Sequence, residues 1–202
     1  MSMVARKPSK LDSLEKFHAK SRKEWRAWLE KHHRTSSGVW LVTFKKETGK
    51  PRIDYGEAVE ELLCFGWIDS KPAKLDDERS MLLCTPRKPT SAWSKANKDR
   101  VERLLSAGLM APRGLELVEL AKKNGKWDAL NDVEALVLPP DLEKRFATDA
   151  RARSNFEAFP RSVKRGILEW ISTAKKPETR GKRIEETVTL AAKNLRANQW
   201  RP

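Results

Sequence analysis

Apolar residues recur at two different spacings along the first two thirds of this chain and at a single spacing afterwards. Trp25, Trp28, Leu29 and His32 fall three and four apart, which predicts an amphipathic helix. Ser21 and Glu24 precede it as a Ser-x-x-Glu capping box, in which each side chain satisfies a backbone donor of the helix start. Beyond Gly38, residues 39–46 are rich in β-branched and aromatic side chains and predict a strand. Thr48-Gly49-Lys50-Pro51 makes the following turn. A second capping box, Asp54 with Glu57, opens a helix whose apolar face is Ala58, Val59, Leu62 and Leu63, with Gly66 as its stop. Residues 67–70 and 80–85 then predict short strands, joined by a polar stretch that turns near Asp76-Asp77 and ended by Pro86 and Pro89.

Helical spacing takes over from there. Ser94 is an N-cap for a helix reaching Ser106 with Val101, Leu104 and Leu105 as its stripe. Pro112 suits the first turn of the next helix, which carries Leu115 and Val118 and runs to Asn124-Gly125. An acidic, apolar connection leads to Pro139-Pro140, the best boundary in the chain. Helices are predicted over 142–148, 150–159, 163–175 and 179–196, with Pro160 and Pro177 separating the last three. Mixed elements followed by helices alone predict an α+β fold: a small antiparallel sheet with packed helices, followed by a C-terminal helical region. The expected organisation is a flexible basic tail over 1–12, an α+β portion over 13–138, and a helical portion over 139–202 that packs as one unit with the first.

Composition narrows the class without naming an activity. No run approaches the roughly 18 to 20 apolar residues that span a bilayer, and the basic start is not followed by a secretory apolar stretch. A cytoplasmic location without membrane insertion is the expectation. Cys64 and Cys84 lie in apolar surroundings and lack metal-ligand spacing, so both are expected as buried free thiols. The net charge of +14 is uneven. Basic residues outnumber acidic ones 6 to 2 over 86–103 and 15 to 6 over 144–202, whereas acidic residues lead 7 to 4 over 104–143. An acidic or phosphorylated partner would be drawn to the two basic regions.

Two loops attract attention as ligand-holding elements, residues 64–70 and 86–97, because each interrupts an apolar pattern with Gly, Pro, Trp and hydroxyl residues. Free N–H groups at a helix start after Ser94, with Ser91, Arg87 and Asn97 nearby, would hold phosphate or carboxylate. Asp69, at a strand end after Trp67, is expected to face this entrance beside Arg87 and Trp93. The C-terminal basic run adds Lys175, Arg180 and Arg183 beside a shared cleft. The three histidines, His18, His32 and His33, lack metal-pair spacing and are expected at a surface or interface. No hydrolase, P-loop, dinucleotide or metalloprotease signature occurs, so no cofactor, metal or catalytic residue is assigned.

Several of these segments occur together in one family. Trp25-Arg26-Ala27-Trp28-Leu29, Gly38-Val39-Trp40-Leu41, Leu63-Cys64-Phe65-Gly66-Trp67-Ile68-Asp69, Pro86-Arg87-Lys88-Pro89 with Ser91-x-Trp93-Ser94-x-x-Asn97, and Ala174-Lys175-Lys176-Pro177-Glu178-Thr179-Arg180 with Lys182-Arg183-Ile184 resemble the YdeI/OmpD-associated, or bacteriocin-protection, family over roughly residues 14 to 195. The resemblance implies a role in tolerance to bacteriocins or envelope stress, and carries no reaction with it. The reading that follows is a cytoplasmic protein that binds a small anionic ligand or acidic partner. Two alternatives stand beside it: a nucleic-acid-binding protein using the basic C-terminal helices, and an enzyme in which Asp69 acts with Ser91 or Ser94.

Overall fold

The computed structural model describes Leu11 and residues 13–199. The expected basic tail lies outside the described residues except for Leu11. The chain divides into two compact units, Met1–Trp127 and Asp128–Pro202.

In the first unit the elements are β1 (Lys16–His18), α1 (Arg22–His32), β2 (Val39–Phe44), α2 (Tyr55–Cys64), β3 (Trp67–Lys74), β4 (Arg79–Pro86), α3 (Lys95–Ser106) and α4 (Pro112–Lys123). The strands form one sheet in the order β1-β2-β4-β3. β2 and β3 both pair antiparallel with β4, as expected, but β1 joins parallel to β2, so the sheet is mixed. Three residues paired to a strand more than 20 positions away give no periodicity of their own, so sequence alone misses β1. β3 runs four residues past its expected end and passes through Pro72. A proline without an N–H is tolerated there because β3 is an edge strand and its pairing is irregular between Asp69 and Pro72.

Helix starts follow their local signals. The Asp54–Glu57 box closes reciprocally at α2, and Ser94 caps α3 by accepting from the Asn97 N–H at 3.4 Å. At α1 only half of the expected box forms: Ser21 accepts from the Glu24 N–H, while the Glu24 carboxylate takes the Lys20 N–H. The core of this unit gathers Trp25, Leu29, Leu41, Leu62, Leu63, Trp67, Trp93 and Val101. Both cysteines are free and buried. Burial pushes the Cys64 thiol up to about 11 and raises Cys84 further, so both act as small apolar side chains.

The second unit is helical: α5 (Asn131–Glu134), α6 (Pro140–Phe146), α7 (Ala150–Ala158), α8 (Arg161–Ser172) and α9 (Pro177–Ala192). Pro139-Pro140 opens α6. Phe146, Phe156, Ile167, Ile171, Ile184 and Val188 fill its core. The last helix, expected to reach residue 196, ends at Ala192, and Leu195 beyond it is exposed. Among the described residues no helix is long and apolar enough to cross a membrane.

Candidate functional site

The site-forming geometry of the first unit begins where α2 ends. Gly66 adopts φ 71°, a left-handed stop that favours glycine. Its N–H reaches the Leu63 carbonyl, and its own carbonyl accepts the Arg87 N–H at 3.0 Å. That bond fixes Arg87 immediately after β4. The start of α4 is pinned to the same place, because the Ala111 N–H donates to the Cys64 carbonyl at 3.1 Å. At Gly114 a Cβ would stand 2.2 Å from that carbonyl, so the two backbones meet at a distance only glycine allows. From the third side, Trp67 Nε1 donates to the His33 carbonyl at 3.0 Å and holds the end of α1 against β3.

These contacts enclose a cavity of about 360 Å³ lined by residues that include His33, Arg34, Gly66, Trp67, Arg87, Arg113 and Glu116. Arg87 is 3% exposed. Its guanidinium lies 3.8 Å from the centre of the Trp93 ring, and Nη2 donates to the Ala92 carbonyl. Nε and Nη1 are buried and have no hydrogen-bond partner among the described residues. Burial pushes the group down to about 10, with the Asp69 charge opposing, so Arg87 remains a cation at neutral pH. A desolvated charge without a paired partner costs several kcal/mol in a protein interior, roughly 3–5 when measured by breaking a pair. Stacking on an aromatic face offsets about 2 kcal/mol of it when desolvated.

The surroundings are cationic too. Arg34 and Arg113 bring the cavity to three guanidinium groups, and the one carboxylate among its described lining residues, Glu116, is engaged by Arg113 at 3.0 Å. His33 contributes a defined tautomer. Its Nδ1 lies 2.8 Å from the Leu29 carbonyl, and a carbonyl only accepts, so Nδ1 holds the proton and Nε2 presents a lone pair when the ring is neutral.

Of the residues singled out in the first unit, Trp67 and Arg87 line this cavity, and Trp93 lies beneath Arg87. Asp69 does not meet the α3 entrance through either serine: its Oδ2 accepts the Tyr55 hydroxyl at 2.8 Å, and among the described residues neither Ser91 nor Ser94 bonds to it. Ser94 is occupied as the α3 cap. Asn97 Oδ1 accepts from Arg100 at 3.1 Å, and the Ser91 N–H donates to the Lys88 carbonyl at 3.0 Å. In the second unit, Arg180 grips Asp141 with two bonds of 2.6 and 2.8 Å. That pair holds the Asp141 carboxyl below its ordinary value. Arg183 donates to the Trp170 carbonyl and stands 5.0 Å over its ring, and Lys175 is exposed. Sequence reasoning expected His33 at a surface or interface without a site role, and missed Arg34 and Arg113. Pro112 at a helix start was the local sign beside Arg113, and it indicates a helix, not a site. Among the described residues no cluster of three or more His, Cys, Asp or Glu is arranged for a metal ion.

Comparison with known proteins follows the same division. Residues 17–117, half of the chain, match the family described as Domain of unknown function (DUF8412). The chain belongs to the DUF8412 family. Its residues 135–194 match a second family, Bacteriocin-protection, YdeI or OmpD-Associated. The matched segments fall one in each compact unit: the YdeI/OmpD-associated match covers 135–194 within the helical unit, a part of the resemblance over roughly 14 to 195, while the cavity lies in the unit that carries the DUF8412 match. No curated protein and no solved structure matches the chain.

Proposed function

We propose that this protein is a cytoplasmic small-anion-binding protein whose ligand is anchored in the first unit by Arg87. The observation that carries the reading is Arg87, a buried arginine that lines a cavity in which cations outnumber carboxylates and whose guanidinium has two donors lacking partners among the described residues. A charge in that state gains when an anion arrives, because the ligand neutralises a cost the fold leaves uncompensated. Two free thiols fit a reducing compartment. A role in bacteriocin tolerance, as the second family's description suggests, would act through this ligand.

Thermal unfolding in sulfate or citrate against chloride at matched ionic strength tests the reading. Saturable stabilisation is expected, reaching about 2.7 kcal/mol at a hundredfold excess over Kd, and Arg87→Gln should abolish it. A response to sulfate and citrate no larger than to chloride overturns the proposal. The nucleic-acid alternative draws less support, since Arg145, Arg165 and Arg180 of the helical unit are each paired with a carboxylate. It requires retention on DNA or RNA at low salt that falls steeply with added salt. The enzyme alternative is weakened by the Tyr55–Asp69 bond, which takes up the carboxylate that would have served a serine.

A further inference from the structure

We infer that the ligand of the Arg87 cavity carries a phosphoryl group, held among Arg87, Arg34 and Arg113 at the start of α4. This rests on the anion-binding reading above and specifies its chemistry. The first support is the helix itself. α4 is 12 residues long, follows Ala111 as an N-cap that offers no side-chain bond, and has proline as its first residue. Its early N–H groups and positive dipole end are therefore not closed by a hydroxyl or carboxylate, unlike those of α3, where Ser94 closes the entrance. Arg113 and Glu116, from the first turns of α4, line the cavity.

The second support is independent of the helix. Arg87 lines the same cavity, is 3% exposed, and holds two donors without partners among the described residues. A helix start and a buried unpaired cation converging on one space is the combination that favours phosphoryl oxygens. Charge balance points the same way. With Glu116 engaged by Arg113 at 3.0 Å, two of the three guanidinium charges remain uncompensated within the lining. A phosphomonoester carries about −1.5 to −2 at neutral pH and offers three acceptor oxygens, which matches that excess better than a monocarboxylate. Size sets the class. A cavity of about 360 Å³ lies at the small end of the roughly 300–1,000 Å³ seen for ligand sites. It suits a phosphorylated small molecule, not a polymer.

The test is a titration of the full chain followed by the arginine Nε–H resonances in 15N-correlated NMR. The probes are inorganic phosphate, a sugar monophosphate, a nucleoside monophosphate and succinate. The phosphorylated compounds are expected to move the Arg87 signal and to bind at least about tenfold tighter than succinate. Arg34→Ala and Arg113→Ala, both at exposed positions, should each weaken phosphoryl binding about two- to fivefold while leaving the fold intact. These variants keep the proposal testable even if Arg87→Gln does not fold. Succinate binding as tightly as the phosphorylated probes would overturn the phosphoryl assignment and leave the anion reading standing. Unchanged affinity in both exposed variants would also overturn it. An Arg87 signal unmoved by every probe would sink both.

Discussion

Two groups of buried charge in the first unit show what separates a structural staple from a site. Glu61 is 2% exposed, yet each of its carboxylate oxygens is taken: Oε1 by Arg22 at 2.6 Å and Oε2 by Arg26 at 2.8 Å. Arg26 also reaches the Leu109 carbonyl, and Arg103 and Arg22 both hold Glu60. The network ties α1, α2 and α3 together and leaves no charge seeking a partner. Arg87 is buried to the same degree, but its donors are incompletely used and its charge is met by an aromatic face and a carboxylate that binds Tyr55 instead. A charge neutralised within the fold gives rigidity. One left unneutralised beside a cavity gives affinity for something outside the chain.

The contrast is open to direct attack. Glu61→Ala has the largest expected effect, about 3 kcal/mol lost in urea unfolding, because it removes one charge-assisted bond each from Arg22 and Arg26 and empties a buried position. Next comes Gly114→Ala. A Cβ 2.2 Å from the Cys64 carbonyl should cost about 1–3 kcal/mol as overpacking and, by shifting α4, also weaken any anion response. Arg87→Met should lie within about 1 kcal/mol of the parent in the same assay, since an apolar stem replaces a desolvated charge, while anion-dependent stabilisation disappears. A loss as large as that of Glu61→Ala would erase the distinction between the two groups.

The smallest effect belongs to the exposed Asp141–Arg180 pair of the helical unit. Asp141→Asn should cost about 0.5 kcal/mol at neutral pH. The sign follows from Arg180 holding the carboxyl below its ordinary value of 3.8. The contribution is present above that value and fades as pH falls through the folded one, so parent and variant should converge in acid. A gap that persists in acid would mean that packing, not charge, supplies it.

Local signals in the sequence translated well, and long-range ones did not. The Asp54–Glu57 box, the Ser94 cap and the Gly66 stop each act within a few residues, so the helices they bound were legible. The parallel pairing of Lys16–His18 with Trp40–Val42 depends on chain closure across a helix and left no pattern. The site divides in the same way. Arg87 and Trp67 stood out because they lie in loops rich in Gly, Pro and Trp, whereas Arg34 and Arg113 reach the cavity only because α1 is tied to β3 and α4 to the end of α2. Asp69 was legible as a polar group at the edge of the core, but its partner was not, since Tyr55 comes from a helix start 14 positions earlier.

The proline within β3 has a consequence for the molecule in concentrated solution. Pro72 lies in the edge strand at an irregularity of pairing, flanked by Lys71 and Lys74, and the opposite edge, β1, is only three residues long. Neither border offers a long, flat row of backbone donors and acceptors to another chain. The sheet is thereby guarded against strand-by-strand self-association, and a variant replacing Pro72 and both lysines with valine is the one to watch for fibre formation.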